Sequence, residues 1–394
     1  MGVDKTSYDA YVDSLMPRLW EIAQYVHANP EVAFTEHKAC AAQCDYLSDQ
    51  GFDVVRGAGG LETAYTATFG QGFPHLGIVS EYDALPGLGH GCGHNLICTT
   101  ALGTAAAVKK YLEDSGTSGT VTVFGTPAEE EGGGKITMLE NGVFEGVDAL
   151  FFMHPTSDLT KLAGYCMSSM RLVVEFTGKS AHAGSHPWDG ANALSAANLF
   201  FAATGMIRQQ FKGDVHFSGI IEEGGKETGL IPDYVRVRCS ISSFSLSELE
   251  RCVGLVENCA KGSALAMGCE ASFKAVPGYQ GRVPNEVLSE VCRAELADLG
   301  EPMLEGLVDD FGGEDLGNVS RLIPVCNPYV TIFPDYKISG HTERFRELAN
   351  TEAGYRCIQV ASKAMSRTMM DVYEDPSVLD DAKAELAERI AKEG

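Results

Sequence analysis

The run LGIVSEYDALPGLGHGCGHNLICTTALGTAAAVKKYL, Leu76 to Leu112, decides the reading of the chain. Leu76–Ser80 is a short apolar strand. EYDALPGLGHGCGHN, Glu81 to Asn95, is a Gly-rich turn, and Leu96–Leu112 is an Ala-rich helix. Strand, glycine turn and helix in succession open an α/β unit, whose ligands bind beyond the carboxyl ends of its strands. Cys92 and His94 stand one residue apart in that turn, so a thiolate and an imidazole can reach a common ion. Such a pair suits Zn²⁺ or a neighbouring transition metal, and one sulfur can bridge two ions. His90 and Asp83 are candidates to orient these groups through hydrogen bonds.

Outward from this run the same rhythm continues. Helices are expected at Tyr8–Val26, with Pro17 as a kink or break, and at His37–Leu47, stopped by Gly51. Thr120–Gly125 is a strand, Lys135–Asn141 a helix and Ala149–Met153 a strand. The alternation predicts a mostly parallel or mixed sheet with helices on both faces. From about Ser168 the order becomes β-α-β-β-α-β, over Leu172–Thr177, Asn192–Gln210, His216–Glu222, Val235–Ile241, Ser247–Ala264 and Ala271–Ala275. That is the order of a ferredoxin-like, split βαβ unit. The α/β rhythm then resumes, so residues 168–278 read as an α+β insertion in an α/β domain of residues 1–167 and 279–394.

Three further stretches carry metal-binding chemistry. TPAEEEGGG, Thr126–Gly134, follows a strand and holds three adjacent carboxylates, which repel one another unless solvated or used. One can bind metal while a neighbour acts as general base on a water. His154 follows the strand Ala149–Met153, and His341 lies in SGHTERF ahead of a helix. Each histidine alone reads equally as a hydrogen-bonded core residue or a surface one. Together with the glycine turn, four separate segments deliver N, O or S donors, about the number that two metals sharing a water require.

Bulk properties exclude other classes. The net charge is −24 and no Lys/Arg-rich block occurs, so neither nucleic acid nor an anionic membrane is an expected partner. The N-terminal MGVDKTSYDAYVDSL lacks a basic start followed by an apolar stretch, so no secretory signal is expected. Twelve cysteines scattered singly fit reduced thiols in a cytoplasm.

HANPEVAFTE (27–36), DALPGLGHGCGHN (83–95), GTPAEE (125–130), MHP (153–155), AHAGSHPWDGANAL (181–194), DLGNVS (315–320), GHTERF (340–345) and KAMSRTMMDVYEDPSVL (363–379) together resemble metallopeptidase family twenty, subfamily D. It contains aminoacylases, hippurate and aminobenzoyl-glutamate hydrolases and plant auxin-conjugate hydrolases. The aminobenzoyl-glutamate hydrolase branch and the β-alanyl-dipeptidases look most similar. The resemblance implies a mixed-sheet catalytic domain of zinc-peptidase type with an inserted ferredoxin-like lid through which two copies dimerise. It implies two divalent ions, Mn²⁺ or Zn²⁺, held by Cys92 as the bridging ligand, His94, Glu130, His154 and His341. Glu129 is then the general base and His182 the group that polarises the substrate carbonyl. The implied reaction is hydrolysis of the amide bond of an N-acyl or N-aroyl amino acid, or of a β-alanyl dipeptide.

The chain departs from the family's pattern at Gly229 in GLIP, where relatives carry Asn, and at Ser242, where they tend to carry Arg. Both are anchors for a substrate carboxylate, which Lys226, Arg236 or Arg238 would then have to hold. Trp188 and Asn192 are further candidate substrate contacts. Asn327 stands where relatives often have His. Two readings of other classes compete: a thiol hydrolase with Cys92 as nucleophile and His94 as base, and a non-catalytic metal-holding protein.

Overall fold

The computed structural model describes residues 4–393. The first three residues of the N-terminal stretch quoted above lie outside the described residues. The chain divides into two compact units.

The first unit gathers residues 4–165, Arg282–Asp310 and Glu314–Lys392. It begins with helices α1 (Lys5–Ala28) and α2 (His37–Asp49) and strands β1 (Asp53–Arg56), β2 (Tyr65–Gln71) and β3 (His75–Ser80). Then come α3 (His94–Ser115), β4 (Gly119–Gly125), α4 (Gly134–Glu140), β5 (Ala149–Phe151), β6 (His154–Thr156) and β7 (Thr160–Cys166).

The second unit, Cys166–Gly281 with Phe311–Gly313, holds β8 (Ser168–Thr177), α5 (Ala193–Ile207), β9 (His216–Glu223), β10 (Tyr234–Ser243), α6 (Leu246–Ala266) and β11 (Glu270–Pro277). The first unit resumes with α7 (Glu286–Asp298), β12 (Met303–Asp310), α8 (Leu316–Ser320), β13 (Val325–Cys326) and β14 (Pro328–Thr331). It closes with α9 (Glu343–Leu348), α10 (Glu352–Glu374) and α11 (Val378–Glu393).

A six-stranded sheet in the order β1-β2-β4-β3-β5-β13 organises the first unit. β4, β3, β5 and β13 pair in parallel, whereas β1 and β2 join antiparallel at one edge. Period-two alternation along the parallel strands explains how both faces are filled. Leu76, Ile78, Val121, Val123, Ala149 and Phe151 enter the core cluster that also contains Leu19 of α1, Leu102 of α3 and Met369 of α10. Val79, Phe124 and Leu150 enter a second cluster with Met138 of α4 and Val319 of α8. The Ala-rich α3 is almost wholly buried because it packs against both α1 and α10, and small side chains let the three approach.

Pro17 sits inside α1 without ending it, so the expected break is absent. The expected strand Ala149–Met153 ends at Phe151, and His154 opens a strand of its own. That strand belongs to a small sheet, β12-β7-β14-β6, which the sequence pattern does not announce.

The second unit is an antiparallel sheet in the order β11-β8-β10-β9 with α5 and α6 packed on it, the β-α-β-β-α-β succession expected. Its core is separate and includes Leu172, Val174, Phe176, Phe200, Val237 and Leu249. Ser245 caps α6, its hydroxyl accepting from the Glu248 N–H. Among the described residues no helix is long and apolar enough to cross a membrane.

Candidate metal centre

Because β3, β4 and β5 run parallel, their carboxyl ends share one side of the sheet, and the chain turns there after each. β3 leads into Glu81–Asp83, β4 into the turn carrying Glu129 and Glu130, and β5 into His154. Gly93, between Cys92 and His94, has φ +83°, and a Cβ there would lie 2.6 Å from Pro155 Cγ. Only glycine lets the Cys92 loop close against the segment of His154. His341 also adopts a positive φ, +59°, and its N–H donates to Gly91 O at 3.0 Å, tying the fourth segment to the same loop.

These turns converge on three groups of donors, each with ligand atoms within 4.8 Å of one another: Cys92, His94 and His154; Cys92, Glu130 and His341; Glu81, His94 and Glu129. Cys92 Sγ lies 3.3 Å from His154 Nε2, and His341 Nε2 lies 3.3 Å from Glu130 Oε2. The first two groups share one sulfur, the arrangement in which a thiolate can bridge two cations. Two buried atoms of the first two groups, His94 Nε2 and Glu130 Oε1, have no hydrogen-bond partner among the described residues. A buried polar atom left unmet is costly, and an ion removes that cost. The mixture of S, N and O donors fits a pair of divalent cations.

Asp83 orients two of the donors at once. Its Oδ1 accepts from His94 Nδ1 at 3.1 Å, which turns the His94 Nε2 lone pair into the cluster, and its Oδ2 accepts from the Glu130 N–H at 2.9 Å. His154 Nδ1 donates to Pro155 O at 2.7 Å and so presents Nε2. His90, expected beside Asp83 in this role, makes no such bond: both ring nitrogens are buried with no hydrogen-bond partner among the described residues, and its ring stacks on His27 at 6.3 Å.

Charge follows from the same packing. Burial pushes the Cys92 thiol up, but the charges of His154 and His94 outweigh it and bring it down to about 5. Hydrogen bonds to Cys92 and Glu130 raise His341 to about 10. Burial works against protonation of His94 and His154, yet the neighbouring thiolate raises both above the ordinary imidazole value. Burial, with the charges of Glu81 and Asp315, holds Glu129 well above the usual carboxylate range.

Several residues of the site received no role from the sequence. Glu81 Oε2 lies 3.7 Å from His94 Nε2, and Glu81 Oε1 lies 2.6 Å from Lys135 Nζ. Lys135 and Asp315 complete a buried charged group behind it. Glu36 accepts the N–H groups of Phe34 and Ala128, both at 2.9 Å, and the Thr63 hydroxyl at 2.8 Å. It thereby anchors the residue just before Glu129, Ala128, which itself has φ +61°. The one available signal was position: an acidic residue at the immediate end of an apolar parallel strand, as at Glu81.

The other expected site residues lie in the second unit. His182 is exposed, and its Nδ1 accepts the N–H groups of Gly184 and Ser185, both at 3.1 Å. The proton is therefore on Nε2, which is a donor. Asn192 caps α5, accepting from the Ser195 N–H at 3.0 Å. Trp188 is 75% exposed, and Arg236 pairs with Glu222 at 3.2 Å.

The chain is 32% identical to the Xaa-Arg dipeptidase of Mus musculus, over 97% of this chain and 92% of the relative. It is 31% identical to a p-aminobenzoyl-glutamate hydrolase polypeptide of Escherichia coli (strain K12), over 75% of this chain and 65% of the relative. The fold is similar to that of a dinuclear metal binding peptidase of the M20 family from Bacillus subtilis, with a TM-score of 0.74, 22% identity and coverage of 92% of this chain and 99% of that one. It is similar also to an aminobenzoyl-glutamate utilization protein from Klebsiella pneumoniae, with a TM-score of 0.69, 17% identity and coverage of 93% and 99%. Residues 77–366, most of both units, match peptidase family M20/M25/M40, and the chain belongs to that family as a hydrolase of carbon–nitrogen amide bonds.

Proposed function

We propose that the chain hydrolyses the amide bond of N-acyl or N-aroyl amino acids, with Glu129 as general base beside two divalent cations. Cys92, His94, Glu130, His154 and His341 would hold the cations, Cys92 contributing to both. The observation that carries this reading is the pair of donor groups sharing one sulfur, with Glu129 in the group next to them. When bound, the cations supply Lewis acidity that polarises the scissile carbonyl and makes a water acidic enough to attack.

The chain's own groups do the rest. Glu129 accepts the proton of the attacking water and delivers it to the leaving amine; its raised pKa suits a group that must hold a proton between these events. Asp83 keeps His94 in the tautomer whose Nε2 is a ligand. His182, of the kind that in relatives reaches the neighbouring subunit's active site, would offer its Nε2–H donor to the substrate carbonyl there as charge develops on its oxygen. A thiol hydrolase would use the Cys92 sulfur as nucleophile with a histidine as base, and chelation separates that reading from the metal-dependent one.

A dipeptidase is the second reading, favoured by the 32% identity to an Xaa-Arg dipeptidase along 97% of the chain. The substrate panel that separates the two contains N-acyl and N-aroyl amino acids, β-alanyl dipeptides and dipeptides ending in Arg, each with Mn²⁺ or Zn²⁺ added. Cleavage of the acyl and aroyl amino acids supports the first reading, and exclusive cleavage of dipeptides the second. Turnover that survives chelation would overturn both in favour of Cys92 as nucleophile. Bound metal without turnover on any member would favour the non-catalytic reading.

Division of the chain at 168–278 into a catalytic domain and a lid that dimerises belongs to the same proposal. Edge strand β9 supports it, since Ile220 and Ile221 are 53% and 37% exposed on a strand with an unpaired side. Twelve free cysteines support a reducing cytoplasm as the compartment.

A further inference from the structure

Next to the five proposed ligands lies a charged cluster, Lys135 with Glu81 and Asp315, to which the proposed hydrolysis gives no role. Lys135 is the second residue of α4, directly after the turn bearing Glu129 and Glu130, and none of its surface is exposed. Its Nζ donates to Asp315 Oδ1 at 2.6 Å and lies 2.6 Å from Glu81 Oε1. Its backbone N–H donates to Asp315 Oδ2 at 2.9 Å. One aspartate thus grips both ends of one lysine, and the lysine grips a glutamate whose other oxygen lies 3.7 Å from His94 Nε2. Glu81 follows β3, Lys135 follows β4 and Asp315 immediately precedes α8, so three segments far apart in sequence meet at one ammonium. Glu81 and Asp315 are as buried as the lysine, at 1% and 0% exposure.

Fold stability gives no reason for three ions in this place. Desolvating each costs several kcal/mol, and apolar residues of similar volume commonly replace buried ion pairs with no loss of stability. What the cluster provides is placement. The turn before Lys135 is folded tightly on itself: a Cβ on Gly134 would lie 1.9 Å from Pro127 O. The direction of Glu129 therefore depends on where α4 begins, and Asp315 sets that point. Glu81, held by Lys135, stands in one donor group with His94 and Glu129.

We infer that Lys135 is a positioning residue for the hydrolysis: clamped by Asp315, it fixes Glu81 against His94 and sets the turn so that Glu129 faces the attacking water. This rests on the proposed role of Glu129, and the test separates the two. Lys135→Met, Lys135→Arg, Glu129→Gln and the Lys135→Met/Glu129→Gln double variant are prepared as full chains loaded with Mn²⁺. Metal content, melting, kcat and KM are measured on the best-cleaved member of the substrate panel. Lys135→Met is expected to bind two ions and melt cooperatively, with kcat about 100-fold lower and KM changed by less than about threefold. Lys135→Arg should recover about tenfold of that loss. In the Glu129→Gln background, Lys135→Met should lower the residual kcat by less than about twofold, because both changes act on one group.

Wild-type kcat in Lys135→Met overturns the inference, as does a full loss persisting in the Glu129→Gln background. Loss of the ions together with kcat also overturns it, since it marks a structural role. If Lys135→Met does not fold, Asp315→Asn is read in the same two backgrounds: a loss that disappears in Glu129→Gln supports the inference, and an additive loss or none overturns it. Undiminished kcat in Glu129→Gln alone would instead sink the proposed base.

Discussion

Cys92 lies among His94, His154 and His341, and those neighbours decide its chemistry. With its thiol brought down to about 5, it is a thiolate at neutral pH. In chelator-treated protein, iodoacetamide should therefore alkylate Cys92 rapidly from about pH 6 upward. Added Mn²⁺ or Zn²⁺ should block the reaction. Cys259 and Cys269, partly exposed but raised by burial, should lag behind, as peptide mapping would show. The three histidines shift the other way and hold protons above the ordinary imidazole value. Loading metal must displace those protons, so affinity should rise with pH until His341 loses its proton at about 10, and calorimetry in buffers of different ionisation heat should show proton release. Asp83→Asn removes the acceptor that sets the His94 tautomer and should weaken metal binding by about 10–100-fold. Glu129→Gln should keep both ions and lower kcat by about 10²–10⁴. The donors were legible in the sequence because each stands within two residues of a glycine or proline at the end of an element. Glu36, Glu81, Lys135 and Asp315 were not, because a buried carboxylate or lysine looks like a surface one until its partners from other segments are known.

Among the elements, the turns at strand ends carry the greatest risk. Gly93→Ala would press a methyl group into Pro155 at a left-handed backbone position. It should destabilise the chain by about 1–3 kcal/mol and separate the Cys92 loop from His154. A lower denaturant midpoint together with weaker metal binding would show this, and an unchanged midpoint would contradict it. Glu36→Ala leaves the N–H of Ala128 without its acceptor and should cost about 1–3 kcal/mol, with a further loss of kcat as the turn before Glu129 loosens. Helices α1 to α6 and the parallel strands β3, β4 and β5 were readable because their apolar periods match one buried face or two. β1 was not, being four residues long with an Asp and an Arg at its ends and mostly exposed. β12, Met303–Asp310, mixes acidic residues with Gly306 at φ +67°, and β6 and β14 contain Pro155 and Pro328. Such strands form only because a partner from another part of the chain is present, which local propensity does not report.

At the scale of the whole molecule, the family and the fold agree on an amidohydrolase, the donor groups fit the proposed pair of ions, and the second unit carries the proposed His182 donor and the proposed dimer face. If the proposed dimer forms, Ile220→Asp on β9 should convert it to monomer in sedimentation velocity; a wild-type chain that sediments as a monomer would remove the lid from its proposed role. The most direct test is native mass spectrometry of the intact protein with Mn²⁺ or Zn²⁺, for wild type and for Cys92→Ala, His154→Ala and His341→Ala. Two ions per chain in the wild type, one in either histidine variant and none in Cys92→Ala are the counts expected if one sulfur serves both positions. A wild type that never holds more than one ion, or a Cys92→Ala chain that still holds two, would contradict it.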